Sequence, residues 1–541
     1  MKTILPLMRM TMMASTKSKT RRTQRSAPTY PRVRYMREPT LEFAMGQKLA
    51  YPRDGLFLYG PVGDPRDLPS IRYGVIGTAQ GVQRFRRWSA SITRVIEIPK
   101  PGLRSREVEP QHVPFPGFEQ AFHAAWPDEP VRVIDDLDEG ELERILKIDN
   151  RHEAVRGAVD VYVARLIAEA DRMENPPAFW FVIIPEIVYS LGRPKSSVPK
   201  SERSAGVVSI TVARARQLQR QPTLFGDDER EAAVYQYATH FRRQLKARLL
   251  SKRIVTQIVR ETTLTPDEFK RESGMPIRRV EDPATIAWKL CTGAYYKAGG
   301  KPWQLANVRP GVCYVGLVYK RSELSADARH ACCAAQMFLS DGEGVVFRGA
   351  LGPWFHTDSR QFHLDEPAAA NLVSMVVGEY ERLHNAPPRE LFIHAPSNFT
   401  DEEWLGFQSA CGEETNLVGV QISDAKDNVK LYRPGGYPVI RGTALETSNR
   451  HAFLWTSGYA PRLDTYMGPE TPNPISVRVA RGICSLDTVL ADVMGLTKIN
   501  FNSCLHNDRL PVTIRFANAV GDVLISAPMD GEPKLPFKFY I

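Results

Sequence analysis

Two lysines and a pair of glycines make residues 289–303, with the sequence KLCTGAYYKAGGKPW, the first candidate for anion binding. Lys289 and Lys297 are eight residues apart, about two turns of a helix, so we expect them to share one side. Gly299 and Gly300 predict the end of that helix and a close approach of backbone to a ligand. A surface helix with solvated lysines and a glycine cap explains the same pattern.

A second group of cations lies upstream of the first. Arg242 and Lys246 are four residues apart and would share a helix face, and Gln257 follows on a predicted strand. Basic side chains and a neutral amide that converge at the ends of helices and strands can bind a phosphate. A solvated helix face is the commoner meaning of such a charge run. The group comprises Arg242, Arg243, Lys246, Arg248, Lys252 and Arg253.

The net charge of +10 comes entirely from the N-terminal region, because residues 1–37 contain ten Lys and Arg residues and no acid. A nucleic-acid surface on the folded part must therefore be a local patch. The composition of residues 1–37 predicts a disordered basic tail. It resembles a transit peptide, although a solvated extension or a start codon assigned too early, with Met36 as the alternative, explains it better.

Composition narrows the class of protein. A chain of 541 residues with 43% hydrophobic and 24% charged residues suits a soluble protein of two to four domains. No apolar run reaches the ~18 residues of a membrane span. Seven cysteines without a CxxC pair favour a reducing, cytoplasmic location over a zinc ribbon or disulfide framework. No glycine-rich nucleotide motif is present.

The order of predicted elements indicates an α/β protein. Residues 38–120 contain short strands and turns near 54–61 and 73–77, which we expect to pack on a later domain, and a proline-rich linker at 99–117. Residues 121–304 alternate strands (131–134, 179–185, 253–260) with helices (142–173, 228–251), which predicts a Rossmann-like domain. Residues 305–541 give three strands, a helix, a strand, a helix and further strands, the order of an RNase H-like fold.

Several motifs together resemble the short prokaryotic Argonautes, which consist of a MID and a PIWI domain. The resemblance covers residues 38–541 and is greatest to the branch whose partner carries a TIR domain fused to an APAZ region. It implies a MID domain at 121–304, a PIWI domain at 305–541 and an N-terminal segment at 38–120 that packs on PIWI. The matching segments are Glu38-Pro39, 54–61 (DGLFLYGP), 247–250 (ARLL) with Thr256-Gln257, 296–303 (YKAGGKPW), 313–320 (CYVGLVYK), 332–338 (CCAAQMF) and 537–541 (FKFYI).

The resemblance also implies a site for the 5′-phosphate of a guide strand. By position, Lys246, Gln257 and Lys297 match the family's phosphate contacts, and Lys289 is a further candidate. The family's aromatic or basic residue four positions before the first lysine falls on Arg242. The C-terminal carboxylate of Ile541, together with Gln257, would hold a Mg²⁺ ion at the phosphate.

The PIWI positions that ligate metal in family nucleases lack carboxylates in this chain. Cleavage by two metal ions needs clustered carboxylates that hold the ions about 4 Å apart. The resemblance places Val318, Ala395 and Asn518 at the ligand positions, and Glu343 reads better as part of a turn. We therefore expect no cleavage of the target and no catalytic residues in this chain.

For a protein that binds without cutting, the resemblance implies a separate effector. We expect a guide RNA that pairs with invading single-stranded DNA, and a heterodimer with a TIR–APAZ protein that oligomerises and hydrolyses NAD⁺ in anti-plasmid and anti-phage defence. Three alternatives stay open: a SIR2–APAZ or nuclease–APAZ partner, a single-strand binder that works alone, and an active nuclease that uses Asp424, Asp427 or Asp522. No membrane association is expected.

Overall fold

The computed structural model is built around two β-sheets, called the small sheet and the large sheet below. Each helix in the described ranges is too short or too polar to span a lipid bilayer. The structure describes residues 30–63, 70–98, 112–220, 226–307, 309–321, 331–338, 344–352, 354–356, 360–425, 429–466, 468, 471–528 and 535–541.

The small sheet has four parallel strands in the order Arg132–Leu137, Tyr73–Thr78, Phe179–Ile184, Thr256–Arg260. Every residue of its two central strands is buried, as expected for a parallel sheet that is covered on both faces. This layered arrangement confirms the predicted Rossmann-like fold. The main helices around the sheet are Ala79–Ser91, Glu139–Leu146, Arg151–Arg172, Phe241–Leu249 and Pro283–Lys297.

The strand Tyr73–Thr78 corrects the predicted domain boundary. It is a central strand of the small sheet, so a boundary at residue 121 would cut through that sheet. Its glycines suggested a turn-rich segment that packs on a later domain. They serve close packing instead, because a Cβ on Gly74 would lie only 2.5 Å from the Trp180 ring. Residues 73–91 therefore belong with the small sheet.

Three further predictions of secondary structure were also wrong. Residues 54–61 form most of the helix Pro52–Tyr59, which has a proline in its first turn, instead of a strand and turn. The predicted helix 142–173 is two helices, and the Asn150 side chain caps the second by accepting bonds from two backbone amides. The predicted helix 228–251 is likewise interrupted, and consists of Gly226–Val234 and Phe241–Leu249.

The large sheet confirms the predicted RNase H-like fold. Its central five strands lie in the order Gly344–Gly352, Ala331–Phe338, Val312–Lys320, Glu390–Ala395, Asn416–Asp424. The first three are antiparallel to one another, and the last two run parallel to the strand Val312–Lys320 and to each other. The sheet continues on one side through Ile475–Arg481, His451–Leu454 and Thr443–Ser448 to Arg32–Tyr35, and on the other through Leu535–Pro536.

The strand Arg32–Tyr35 shows that the predicted disordered tail extends too far. It pairs antiparallel with Thr443–Ser448, and the Arg34 guanidinium binds Glu446 at 3.1 Å and Asp487 at 2.5 Å. The positive charge of Arg34, which suggested a solvated tail, is therefore engaged in ion pairs with the folded part of the chain. Residues 1–29 lie outside the described part of the chain.

Helices cover the two faces of the large sheet. Glu366–His384 and Asp401–Ala410 pack on one face, against Cys313, Val315 and Leu317. Leu486–Leu496 and Val512–Leu524 pack on the other face, which carries Val318. The remaining elements are a three-stranded sheet (Leu41–Glu42, Lys48–Leu49, Gln304–Leu305), the pair Phe355–His356 and Gln361–Phe362, the helices Phe118–Phe122, Glu186–Leu191, Val212–Arg220 and Glu261–Leu264, and short 3₁₀ turns.

A buried ion cluster fastens the N-terminal segment to the large sheet. The Glu38 carboxylate accepts from Arg441 at 2.8 Å and from Lys498 at 2.6 Å, and both cations are almost fully buried. Burial would raise the pKa of the Glu38 carboxyl, but the charges of Arg441 and Lys498 lower it to about 2. This segment is therefore an integral part of the large-sheet unit.

Candidate nucleic-acid interface

A polar pocket of about 400 Å³ lies where the small sheet meets the C-terminal residues. It opens beside the ends of the helices Phe241–Leu249 and Pro283–Lys297 and the strand Thr256–Arg260. The structure brings together most of the predicted anion-binding residues here: Arg242, Lys246, Gln257, Lys297 and Ile541.

Lys246 lies in the floor of this pocket and is only 2% exposed. Its Nζ donates to the Thr256 carbonyl oxygen at 3.0 Å and to a terminal oxygen of Ile541 at 2.5 Å. Burial, together with the nearby charges of Lys297 and Arg242, lowers the pKa of the Lys246 ammonium well below its ordinary value. The C-terminal carboxylate thus lies in the pocket.

Lys297 is the second buried cation, 1% exposed at the last residue of the helix Pro283–Lys297. Its Nζ donates to the Gln257 side-chain oxygen. Burial and the charge of Arg242 lower the pKa of the Lys297 ammonium well below its ordinary value. Within the described residues, no Asp or Glu side chain balances either lysine. The terminal carboxylate that accepts from Lys246 is one negative charge beside two buried ammonium groups. Because burying a charge without a counter-ion is costly, the pocket favours a further anionic ligand.

The mouth of the pocket carries groups that the sequence patterns did not single out. Asn502 and Arg193 are such unpredicted members of the lining, whereas the exposed Arg242 side chain, which also lines the pocket, was a predicted one. Arg260 lies over the Tyr189 ring, 3.4 Å from its centroid, while Glu186 holds its guanidinium. Asn502 and Arg193 lie in loops and Arg260 is the last residue of a strand, positions where no periodic signal marks a binding residue.

His240 stands beside Arg242 at the pocket. Burial and the charges of Arg243, Arg242 and Arg193 lower the pKa of its imidazole to about 4. The ring is therefore neutral at physiological pH and adds a hydrogen-bonding group but no charge.

Lys289 is not brought to the pocket. Its Nζ binds Glu281 at 2.5 Å, and its side chain borders a separate cavity of about 880 Å³ that also includes Arg53 and Asp282. Eight residues on a helix leave an angular offset of about 80°, so Lys289 and Lys297 do not point to one ligand. Trp303, at the end of the same segment, is fully buried and donates to the Lys498 carbonyl oxygen at 3.1 Å.

The three candidate degenerate positions of the large sheet do not form one cluster. Val318 is 2% exposed on the face that the helix Val512–Leu524 covers, whereas the Ala395 side chain belongs to the hydrophobic cluster on the opposite face. The Asn518 amide donates to the Ile514 carbonyl oxygen at 2.9 Å within its own helix. Alternation along the strand Glu390–Ala395 thus separates Ala395 from Val318.

The helix Val512–Leu524 and the strand Val312–Lys320 are in close contact at Gly316. A Cβ on Gly316 would lie 1.8 Å from the Thr513 carbonyl oxygen, so the helix Val512–Leu524 rests directly on the strand. The neighbouring His394 is fully buried, its Nδ1 lies 2.9 Å from the Thr513 hydroxyl, and burial lowers the pKa of its imidazole to about 3.

The alternative acidic candidates are engaged in ion pairs. Asp522 binds Arg243 at 2.7 Å and Lys320 at 3.0 Å, and Asp424 binds Arg509 at 2.9 Å. Glu343 and Asp427 lie outside the described residues. In the part of the chain that the structure describes, no group of three His, Cys, Asp or Glu side chains is arranged to hold a metal ion.

Comparison by sequence alone finds nothing, since no family model and no curated protein match this chain. Solved structures do match. A Clostridium butyricum Argonaute bound to a guide DNA and a 19-mer target DNA superimposes with a TM-score of 0.59 at 14% identity, covering 94% of this chain and 55% of that one. Aa-Ago with externally bound siRNA gives a TM-score of 0.52 at 14% identity, covering 94% of this chain and 56% of that one.

A. aeolicus Argonaute gives the same TM-score of 0.52 at 13% identity, covering 92% of this chain and 54% of that one. The chain thus spans about half the length of the structures it matches. Its small sheet and large sheet correspond to a Rossmann-like MID and an RNase H-like PIWI domain. The chain has the fold of the MID–PIWI part of Argonaute proteins.

Proposed function

We propose that this chain recognises a target nucleic acid through a guide RNA whose 5′-phosphate occupies the pocket around Lys246 and Lys297. The observation that carries the proposal is the pair of buried lysines, 2% and 1% exposed, that line one cavity. The terminal carboxylate of Ile541 is beside one of them, and no Asp or Glu side chain among the described residues balances the second charge. A terminal phosphate is a compact dianion that would accept from both. Base pairing would then read the target, as in other guided systems.

Mg²⁺ fits the donor set of this pocket. The Ile541 carboxylate and the Gln257 side-chain oxygen both line it, and such hard oxygen ligands suit Mg²⁺ together with a phosphate. Both oxygens now accept from lysines. A bound ion would therefore share these oxygens with Lys246 and Lys297, and would offset the repulsion between the phosphate and the chain terminus.

We propose further that the chain does not cleave its target. Val318 and Ala395 carry no metal-binding atoms, and Asp424 and Asp522 are tied to cations on other elements. Guide and target binding would then have to be reported by another polypeptide. In keeping with the resemblance, that polypeptide is a TIR–APAZ protein which hydrolyses NAD⁺ once single-stranded target DNA is bound, in the cytoplasm, as a defence against plasmids and phages.

The test combines binding with activity in one purified system. The chain, co-expressed with the product of the adjacent gene, is given RNA with a 5′-phosphate or a 5′-hydroxyl and then complementary single-stranded DNA. We expect tighter binding of the phosphorylated guide, a further gain with Mg²⁺ over chelator, intact target DNA, and NAD⁺ loss only with guide and target together. Equal affinity for both guides would refute the pocket assignment, and guide-dependent DNA cleavage would refute the inactive PIWI domain.

A further inference from the structure

One half of the large sheet is covered by helices on a single face. The strands Thr443–Ser448, His451–Leu454 and Ile475–Arg481 bury Ala444, Leu454 and Ile475 in the main core. On the opposite side, the hydrophobic cluster under Glu366–His384 and Asp401–Ala410 extends no further than Leu417 and Ala480. The sheet beyond that limit therefore has an uncovered side among the described residues.

Apolar side chains line up across this uncovered side. Val33 lies opposite Leu445, and Leu445 lies opposite Phe453, so the three form a row over three neighbouring strands. Val33 is 58% and the nearby Tyr35 55% exposed, while Leu445 and Phe453 are half-buried and belong to no hydrophobic cluster. We call these four residues, together with the exposed Arg478 on the neighbouring strand Ile475–Arg481, the outer face.

Positive charge borders the row. Arg478 is exposed and lines an open cavity of about 410 Å³ with Arg450 and His451, among other polar residues but no acid. The Arg450 guanidinium is fixed by the carbonyl oxygens of Val479 at 2.9 Å and Gly482 at 3.1 Å. The outer face thus combines an apolar row with cations held in place beside it.

The sheet also ends here in an open strand. Arg32–Tyr35 is the last strand in the order of the sheet, paired on one side only within the described residues. An unpaired edge presents backbone donors and acceptors that another chain can use by adding a strand. Edge and outer face are continuous, because Val33 and Tyr35 belong to both.

The charge and the apolar character of the outer face limit the kind of molecule that can cover it. Residues 1–29 contain seven Lys and Arg residues and no acid, so they would be repelled by Arg450 and Arg478. A nucleic-acid backbone would satisfy the arginines but leave the apolar row without a partner. A protein segment with apolar side chains and neighbouring carboxylates satisfies both parts.

We infer that the outer face and the edge strand Arg32–Tyr35 are the docking surface for the effector subunit, which contributes an apolar segment flanked by Asp or Glu residues. The identity of that subunit rests on the proposed function. The surface lies on a different sheet from the guide pocket, so effector binding and guide binding are separable by mutation.

The experiment measures co-purification and affinity for the product of the adjacent gene, with Val33→Glu and Arg478→Glu as test variants. We expect each to weaken the effector complex at least tenfold, Arg478→Lys to retain it, and affinity for a 5′-phosphorylated guide to stay unchanged. Val207→Glu is the matched control, because Val207 is 85% exposed and lies outside the large sheet.

Four other outcomes would overturn the inference, and each would point to a different role for this surface or for the chain. Unchanged effector affinity in both variants excludes the outer face. Weakened guide–target binding with the effector retained makes it a nucleic-acid surface, and loss of self-association alone assigns it to a second copy of the chain. A wild-type chain that binds phosphorylated guide but not the effector would refute the partner in the proposed function together with this inference.

Discussion

Replacing Lys297 with methionine should separate anion binding from stability. Lys297 is 1% exposed and its Nζ is bonded to the Gln257 side-chain oxygen, with no Asp or Glu partner among the described residues. A charge-assisted bond to a phosphate contributes about 1.5–3 kcal/mol. Its loss should weaken binding of a 5′-phosphorylated guide about 10- to 100-fold. The unliganded protein loses one bond to Gln257 but also a buried charge that no Asp or Glu balances, so its melting temperature should stay the same or rise.

The assay compares fluorescence anisotropy of 5′-phosphorylated and 5′-hydroxyl RNA of one sequence, with thermal melting of the free protein. Lys289→Met is the matched control, since Lys289 lies on the same helix but binds Glu281 at 2.5 Å beside another cavity. That control should change the preference for phosphate less than threefold.

Two results would refute the reasoning. If Lys297→Met weakens both RNAs equally, its ammonium does not contact the phosphate. If it lowers the melting temperature by several degrees, the buried charge stabilises the fold and was not left for a ligand.

Three further predictions concern protons and buried charges. Guide binding should take up protons at a pH between the lowered pKa values of the two pocket lysines and their ordinary value of 10.5, because those pKa values rise beside a phosphate. Calorimetry in buffers of different ionisation enthalpy measures this uptake, and no buffer dependence would contradict it. Val318→Asp should create no nuclease and should lower the free energy of unfolding by about 2 kcal/mol or more, since the side chain is 2% exposed beneath a helix; denaturant melts and a cleavage assay test both. Glu38→Gln should cost about 3–5 kcal/mol by leaving Arg441 and Lys498 buried without their carboxylate. Because the pKa of the Glu38 carboxyl is lowered to about 2, its contribution is present above its ordinary range near 4.5 and should vanish as pH falls toward 2, so wild type and variant should converge in acid melts.

Burial was the property that the sequence predicted best. The apolar run at 179–185 became the central strand Phe179–Ile184, and the strand and helix order of residues 305–541 matched the large sheet. The neighbours of each strand within its sheet were harder to predict. Hydrophobicity shows that a strand is buried, but it does not show which strand lies beside it. Tyr73–Thr78 was seen as a strand, but its place between Arg132–Leu137 and Phe179–Ile184 depends on pairings with distant segments.

The candidate site likewise contains some residues that the sequence predicted and others that it did not. Lys246, Gln257 and Lys297 were assigned by the positions of family motifs, and the structure puts them around one pocket. Helical spacing alone would have kept Lys289, whose phase on the helix turns it to another cavity. Asn502 had no signal at all, since it lies in a loop between two helices and reaches the pocket only through the fold.

The path of the chain has a consequence for dissecting the protein into pieces. The described part of the chain starts in the large-sheet unit with Arg32–Tyr35 and Glu38, crosses to supply the central strand Tyr73–Thr78 of the small sheet, and later returns to build the large sheet. A fragment that starts after residue 120 would lose that central strand and expose two apolar strand edges, which favours aggregation. Soluble halves would require splicing distant segments, so a contiguous truncation that expresses poorly reports on topology and says nothing about guide binding.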